Sequence, residues 1–578
     1  MAKFELNSIA FDSKTEAKLK REELEHSKNG DIDEYKLSLE FDGEVMPKPY
    51  SLTWEIDQID MMCFWSSKSG LQHNLTPDWC MRSVESKTAS GMPLAVVYNK
   101  ANQNRVSIAL SDPATPTTIS VGVVEENAKL RIRVEFFSKP TSKMSTYEVV
   151  IRVDNRKITV VDAIESVRDW WTSLGYAPAY VPEGARDPLY SAWYSFHQRT
   201  IPDEIVAECE VAKEYGMDTL IVDDGWQTDD NSRGYGYCGD WEICESKIPD
   251  MQDFVDRIHA LGMKFMVWFS VPFVGIHSKN YKRFEGKYLY TSKNSSASVL
   301  DPRFKEVREF LVGIYVDYVK KYGWDGLKLD FIDKFALTDE SSTDYDKMDC
   351  VSLEEGVSRL LSEASSSLKA INPDFLIEFR QSYVGPAISQ YGNMLRVTDC
   401  PNDAINNRVG SIHVRLTSKN VPVHSDMLMW SKNDTNESVA HQLLAIMFSV
   451  PQISVKFGDI TDEHKRVLKA FLTFWREHRA TILDGKLEAF GLDANVTSAR
   501  ATSDSECVCV QYQSNVSKVG GVPTYIFNST GEGELYLDLA EKKKYEKYDI
   551  FGNLYETGKL KKGAHKIALE NCEMIKVF

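Results

Sequence analysis

Hydrophobic and polar residues alternate with a period of two over much of the first 160 residues. In the segment EYKLSLEF, residues Tyr35, Leu37, Leu39 and Phe41 fall on one face, and KLRIRVEFF and YEVVIRV repeat the pattern. Turn signals such as KNGD and DPATP separate these segments. This period is typical of strands with one buried face, and it predicts an N-terminal β-sandwich domain over residues 1–160.

The pattern then changes to helical spacing in DAIESVRDWWTSLGY. The segment APAYVPEGARDP, which contains three prolines, follows directly. A proline-rich segment between two differently patterned regions is typical of a domain boundary. We therefore expect a linking helix and a linker over residues 161–186.

Between residues 187 and 482, short apolar segments alternate with amphipathic helical stretches. The helical spacing predicts helices over 203–215, 250–261, 304–321, 353–370 and 434–447. The strand candidates are LYSAWYSF, TLIVDDGW, KFMVWFS, GLKLDFI, FLIEFRQ, NMLRVTD, VPVHSDML and PQISVKF. Eight strands mostly separated by helices predict a catalytic (β/α)8 TIM barrel. An open doubly wound sheet is the alternative, but the glycine-rich turn that usually follows its first strand does not occur.

Strand patterns return after residue 483 in ECVCVQYQ, TYIFN, ELYLDL and EMIKVF. They predict a small C-terminal antiparallel β-domain, of sandwich type, over residues 483–578. The expected fold is therefore multidomain, with a central TIM barrel between an N-terminal β-sandwich and this domain.

Polar residues gather where the predicted barrel strands end. In GLKLDFI, Lys328 and Asp330 are two residues apart, so their side chains share one face of the strand. The other polar or tryptophan residues near strand ends are Trp193, Asp223, Asp224, Trp268, Glu378, Arg380, Asp399, His424 and Asp426. Active sites of TIM barrels lie at the C-terminal ends of the strands. Carboxylates beside tryptophans indicate a sugar, because Trp packs on the sugar ring and carboxylates accept hydrogen bonds from hydroxyls.

Each of these features also has a purely structural interpretation. Lys328 and Asp330 could be a buried ion pair, and the DDGW segment could be a turn with a helix cap. Asp399 could form an Asx-turn, and the two tryptophans could belong to the core. His424 and Asp426 share a strand face but lack a third metal ligand, so we expect no metal site. The common location at one rim favours a functional site.

Composition and charge narrow the possible partners. The formal net charge of −17 and the lack of a basic block argue against nucleic acid and anionic membranes. No apolar run is long enough to span a membrane, and the N-terminal segment lacks the apolar core of a signal peptide. The ten cysteines are scattered without metal-binding spacing. We expect a cytoplasmic protein without a cofactor, and leave homo-oligomer formation open.

Several segments together resemble glycoside hydrolase family 36, the group of α-galactosidases and raffinose-synthase-like proteins. LIVDDGWQ is similar to the family's second-strand signature, and GDWEICESKIPDMQDFVDRIHALGMKFMVWF is similar to the segment that follows. GLKLDF resembles the nucleophile strand, and RVTDCPNDA resembles the acid/base segment. The resemblance covers roughly residues 190 to 480.

The resemblance implies a retaining mechanism, with Asp330 as the nucleophile and Asp399 as the acid/base. Asp223 and Asp224 would hold O4 and O6 of a galacto-configured sugar, and Lys328 would contact its O3/O4 edge. Trp193 and Trp268 would line the subsite. The resemblance also implies an oligosaccharide or glycoside substrate.

The chain departs from the family pattern next to these residues. The segment IEFRQSYVGP has Arg380 where the family has a cysteine followed by glycines, and Ile332 and Asp333 replace Asn and Arg. Arg380 is expected to bind substrate. It could substitute for the arginine that the family has upstream of LDPR, where this chain has KNSSASV, or its planar fork could bind a different or an anionic substituent at C2. The leading hypothesis is an exo-acting α-galactosidase on small oligosaccharides. The alternatives are a raffinose-synthase-like transglycosylase, an α-glycosidase for a galacto-configured sugar with a different C2 or C6 substituent, and a non-catalytic carbohydrate-binding protein.

Overall fold

Two antiparallel sheets packed face to face form the N-terminal region. The structure is a computed structural model that describes residues 2–418 and 420–578. The predicted alternation is confirmed, since Tyr35, Leu37, Leu39 and Phe41 are at most 2% exposed. One sheet contains Lys3–Leu6, Ile9–Thr15, Tyr50–Asp57, Arg82–Ser86, Thr117–Val124 and Lys129–Phe136; the other contains Leu19–Asn29, Ile32–Val45, Cys63–Trp65, Leu94–Tyr98, Asn104–Leu110 and Met144–Asp154.

Eight parallel strands form a nearly closed central barrel, as predicted. They are β1 (Leu189–Ser191), β2 (Thr219–Val222), β3 (Lys264–Ser270), β4 (Gly326–Asp330), β5 (Leu376–Arg380), β6 (Met394–Arg396), β7 (Val423–His424) and β8 (Gln452–Ile453). Neighbours in the sheet follow chain order, and β8 pairs with β1. Isolated parallel bridges, His424 to Val450 and Leu428 to Ile453, connect the β7 and β8 edges.

Helices follow most strands, and the five predicted ones lie within two residues of their predicted bounds, whereas the helices at 404–417 and 462–477 were not predicted. The main ones are Pro202–Glu214, Met251–Ala260, Lys305–Tyr322, Leu353–Ile371, Ala404–Thr417, Asn436–Ala445 and Asp462–Glu477. Shorter helices are Trp193–Phe196, Asn280–Arg283 and Arg479–Asp484. Asp250 caps its helix by accepting hydrogen bonds from the N–H groups of Gln252 and Asp253. No helix of the described residues has the length and apolarity needed to cross a membrane.

Two excursions interrupt the simple alternation of strand and helix at the C-terminal rim. Residues 223–250 form a long loop after β2. After β3, the strands Phe273–Gly275, Tyr288–Ser292 and Ala297–Leu300 form a small antiparallel sheet. Both additions come from loops at the C-terminal ends of strands, so they build up the walls of the predicted site.

The C-terminal region contains a seven-stranded and a three-stranded sheet. Most neighbouring strands are antiparallel, but two pairs, 507–511 with 524–528 and 516–519 with 534–539, are parallel. The larger sheet contains Lys486–Phe490, Ser498–Thr502, Cys507–Gln511, Thr524–Asn528, Lys543–Tyr548, Leu554–Leu560 and Met574–Val577; the smaller contains Val516–Val519, Glu534–Leu539 and Gly563–Ala568.

The N-terminal sandwich packs on the barrel close to the end of β4. The Nζ of Lys87 donates a hydrogen bond of 2.7 Å to the carbonyl oxygen of Phe335, and the N–H of Gly91 donates one of 3.1 Å to Ser382. The linking helix, Val160–Ser173, joins the two regions, and Trp171 donates its indole N–H to the carbonyl of Leu110 at 2.8 Å. The domain limits at residues 160, 186 and 482 stay a prediction.

Candidate active site

Asp330 ends β4, and several donors hold its carboxylate. Its Oδ1 accepts hydrogen bonds from Arg380 Nε at 2.8 Å, from the Phe331 N–H at 2.7 Å and from the Tyr383 hydroxyl at 3.3 Å. Its Oδ2 accepts one from the indole N–H of Trp268 at 3.1 Å. These contacts fix the orientation of the carboxylate at the C-terminal rim of the barrel.

The charges around Asp330 keep it ionised. Burial by itself raises the pKa of this carboxyl, but the guanidinium of Arg380 and the ammonium of Lys328 outweigh burial and hold the pKa well below its usual range. An ionised carboxylate with a fixed orientation is what a nucleophile in glycoside hydrolysis requires.

Lys328 contacts a different carboxylate from the one that the strand pattern suggests. Its Nζ lies 2.5 Å from Oδ2 of Asp223, which follows β2. Burial lowers the pKa of Lys328, yet Asp223 and Asp330 keep it above its usual value. Lys328 is therefore a buried cation that stabilises the ionised forms of two carboxylates, Asp330 on its own strand and Asp223 across the barrel.

Asp224 is buried beside Asp223 and is held by two glutamines. Gln198 donates to its Oδ2 and Gln227 to its Oδ1, each at 2.7 Å. Burial, the largest influence, and the neighbouring charge of Asp223 raise the pKa of Asp224 to about 6. Neither glutamine was predicted from the sequence, although Gln227 belongs to the DDGWQ motif.

Asp399 lies on the loop that follows β6 and forms an ion pair with Arg396. Its Oδ1 is 2.9 Å from Nη2 of Arg396, and its side chain is 52% exposed. Burial raises the pKa of Asp399, but the nearby guanidinium of Arg396 outweighs burial and lowers it. Arg396 was not predicted as a site residue. The sequence feature that could have indicated it is a cation within the apolar strand segment NMLRV.

The two predicted tryptophans occupy different environments. Trp268 is 1% exposed, so its main contact with the site is the N–H that it donates to Asp330. Trp193 is partly exposed at the start of its short helix. Its ring lies 5.8 Å from the guanidinium of Arg233 and 4.9 Å from the ring of His197. Trp193 therefore has ring surface available at the rim, whereas Trp268 supports the carboxylate.

Arg380, at the end of β5, is a cation at the position where the resembled family has a cysteine. Besides its contact with Asp330, its guanidinium lies 5.2 Å from the centre of the Phe331 ring. The Nε2 of His424 donates a hydrogen bond of 2.8 Å to the carbonyl oxygen of Ala185, whereas Asp426 pairs with Arg396. Within residues 2–418 and 420–578, no three His, Cys, Asp or Glu side chains are grouped to hold a metal ion.

The barrel that carries these carboxylates matches a known protein family. Residues 186–485, more than half of the chain, match the model of the melibiase family. The chain belongs to the melibiase family. This membership confirms the resemblance inferred from the motifs.

The sequence relatives in this family match over limited segments. A bifunctional α-galactosidase/sucrose kinase of Mediterraneibacter gnavus is 30% identical over 157 residues, which are 24% of this chain and 16% of that protein. The α-galactosidase Mel36A of Lactobacillus acidophilus is 28% identical over 157 residues, 24% of this chain and 20% of that protein. The chain thus matches less than a quarter of the length of these curated relatives.

Solved structures extend the likeness to the whole chain. The α-galactosidase of Lactobacillus brevis superposes with a TM-score of 0.66 at 14% identity, covering 99% of this chain and 80% of that one. A variant of the α-galactosidase AgaA of Geobacillus stearothermophilus, in complex with raffinose, gives 0.66 at 13% identity and covers 98% and 81%. At this identity the likeness establishes the multidomain fold.

Proposed function

We propose that this chain is a retaining, exo-acting α-galactosidase on small oligosaccharides. The observation that carries the proposal is Asp330, an ionised carboxylate oriented by Trp268, Arg380 and Tyr383 at the rim of the barrel. Asp399 supplies a second carboxylate on the same rim. Membership of the melibiase family and the α-galactosidase activity named for its relatives support the choice of sugar.

The proposed reaction has two displacements. In the first, an oxygen of Asp330 attacks the anomeric carbon, the bond to the leaving oxygen breaks, and Asp399 gives that oxygen a proton. In the second, Asp399 takes a proton from water, the water oxygen attacks the anomeric carbon, and the bond to Asp330 breaks. The configuration of the sugar is inverted twice and is therefore retained.

The remaining side chains are assigned to sugar binding. Asp223 and Asp224 accept hydrogen bonds from O4 and O6, because each keeps acceptor capacity beyond the contacts described above. Lys328 donates to the O3/O4 edge. The partly exposed ring of Trp193 packs against the sugar, and Trp268 lines the subsite mainly by holding Asp330.

A single substitution tests the assignment of the nucleophile. Asp330→Ala should lower turnover of an aryl α-galactoside by about 10³-fold or more, because no covalent intermediate can form. Azide should restore turnover and give a glycosyl azide of inverted configuration. The matched control is Asp339→Ala, because Asp339 is an exposed aspartate on the loop after β4. Unchanged turnover of Asp330→Ala would exclude the proposed nucleophile.

The position of Arg380 favours a second candidate, an α-glycosidase for a related sugar with a different C2 substituent. The guanidinium borders Asp330, so a bound sugar would present its C1–C2 edge to it. Hydrolysis rates for aryl α-galactosides and α-N-acetylgalactosaminides, which differ at C2, would separate the two candidates. The sugar with the highest kcat/KM identifies the substrate, and Arg380→Ala should change this ranking if Arg380 reads C2.

A further inference from the structure

One buried guanidinium connects the candidate acid/base, Asp399, with two buried carboxylates, Asp426 and Glu378. Arg396 is 1% exposed and lies 2.9 Å from Asp399, 2.5 Å from Asp426 and 3.5 Å from Glu378. Its Nε and the Oε1 of Glu378 have no hydrogen-bond partner among the described residues, so the contact with Glu378 is electrostatic only. The positive charge of Arg396 therefore stabilises three carboxylates, and among them Asp399 is the one whose side chain is exposed to solvent.

We infer that Arg396 is a positioning residue that holds Asp399 as a carboxylate in the free enzyme and governs how readily Asp399 takes up the proton needed for the first displacement. The inference rests on the proposed function, since it concerns the acid/base of that reaction. It assigns Arg396 a task that is separate from sugar binding.

Asp399 faces charged or titratable groups from five neighbouring elements. Lys328 and Asp330 belong to β4, Arg380 to β5 and Arg396 to β6, while Asp426 follows β7 and Tyr194 lies on the helix after β1. Three cations oppose two carboxylates, the phenol of Tyr194 is neutral, and the nearest cation is Arg396. This balance stabilises the ionised form of Asp399, whereas a general acid must carry a proton.

Asp426 keeps Arg396 in place when Asp399 changes its charge. The Oδ2 of Asp426 accepts hydrogen bonds from the Cys400 N–H at 2.7 Å and the Tyr194 hydroxyl at 2.9 Å. Its own N–H donates to Asn407 at 3.0 Å. When Asp399 takes one proton from solvent, its ion pair with Arg396 is lost, but the pair between Arg396 and Asp426 remains. The guanidinium can therefore re-form the pair after Asp399 donates its proton.

The pH profile of kcat/KM tests this role. The basic limb reports loss of the proton from Asp399, so Arg396→Met should move it to higher pH by about one unit or more for phenyl α-galactoside. Arg396→Lys keeps a positive charge and should leave the limb close to its wild-type position. For α-galactosyl fluoride, whose leaving group needs little acid assistance, neither variant should move a basic limb.

The substitution Asp426→Asn should move the basic limb of kcat/KM in the opposite direction. The negative charge of Asp426 favours the protonated form of Asp399, so removing that charge should move the basic limb to lower pH. If thermal unfolding shows that Arg396→Met does not fold, the pH profile of Asp426→Asn tests the inference instead. Rates that fall for both leaving groups without movement of the limb would mean that Arg396 is only structural and would overturn the inference. Absence of wild-type activity towards every α-glycoside would overturn the proposed function and the inference with it.

Discussion

At the scale of single residues, Arg380 and Asp330 are the pair whose charges bear most directly on the chemistry. Burial raises the pKa of Asp330, and Arg380 is the strongest of the groups that lower it. Removing the guanidinium in Arg380→Met should therefore raise the pKa of Asp330. Because the nucleophile must be ionised, the acidic limb of kcat/KM should move to higher pH by about one unit or more.

The control for this prediction separates charge from sugar binding. Arg380→Lys keeps the charge, so the acidic limb should stay near its wild-type position even if KM rises. If Arg380 acts on the sugar alone, both variants would raise KM and neither would move the limb. The measurement is kcat/KM from pH 3 to pH 8 for an activated aryl α-galactoside. An acidic limb that the wild type and Arg380→Lys lack in this window, but that Arg380→Met shows, would confirm the effect of the charge.

At the scale of elements, the turn after β2 depends on Gly225. It has a φ of +109°, and a Cβ at this position would lie 2.4 Å from the Cα of Gln198. Gly225→Ala should therefore push apart two segments that Gln198 and Asp224 join, lowering the free energy of unfolding by about 1–3 kcal/mol. Activity should fall as well, because Asp224 loses its position.

The long loop after β2 contains a matched control for this substitution. A Cβ at Gly234 would lie 3.7 Å from the Oγ of Ser232, at an ordinary van der Waals distance. Gly234→Ala should therefore leave both thermal unfolding and turnover near wild type. Equal stability of the two variants would show that close packing at Gly225 is unimportant.

The barrel strands show which contacts can be predicted from the sequence. Periodicity in single segments predicted the barrel strands, and the strand-end rule brought Asp223, Asp330 and Asp399 to one rim. The partners of those residues depend on side chains that meet across the barrel, which local periodicity does not encode. Lys328 thus pairs most closely with Asp223, although the strand pattern suggested Asp330. Arg396 was overlooked because its three carboxylates come from separate strands and loops.

At the scale of the whole molecule, two buried histidines lie where the N-terminal sandwich meets the barrel. The His413 ring, on helix Ala404–Thr417, is 5.4 Å from the His73 ring and 5.9 Å from that of Trp65. His73 contacts the Tyr98 hydroxyl at 3.0 Å, but Nε2 of His413 has no partner among the described residues. Burial lowers the pKa of both, that of His413 to about 3. The contact between these two regions therefore requires neutral histidines.

This requirement makes stability depend on pH in a defined direction. The folded-state pKa of His413 is below the unfolded value of about 6.5, so only the unfolded state binds a proton as pH falls below 6.5. As pH falls from 6.5 to 3, His413 alone should lower the free energy of unfolding by up to about 1.4 kcal/mol for each pH unit. Asp224 and Glu354, whose pKa values burial raises to about 6, act in the opposite sense below pH 6. The slope of the wild type is therefore a sum of opposing contributions.

The comparison of variants isolates the contribution of His413. His413→Phe removes the buried base without leaving a broken hydrogen bond at Nε2, so its unfolding free energy should fall less steeply than that of wild type below pH 6.5. Denaturant unfolding at intervals from pH 7.5 to 4.5 measures the two slopes. His565→Phe is the control for the type of substitution, because His565 lies on the C-terminal strand Gly563–Ala568, outside the contact between the sandwich and the barrel. Parallel slopes for His413→Phe and wild type would mean that His413 takes up its proton without loss of the domain contact.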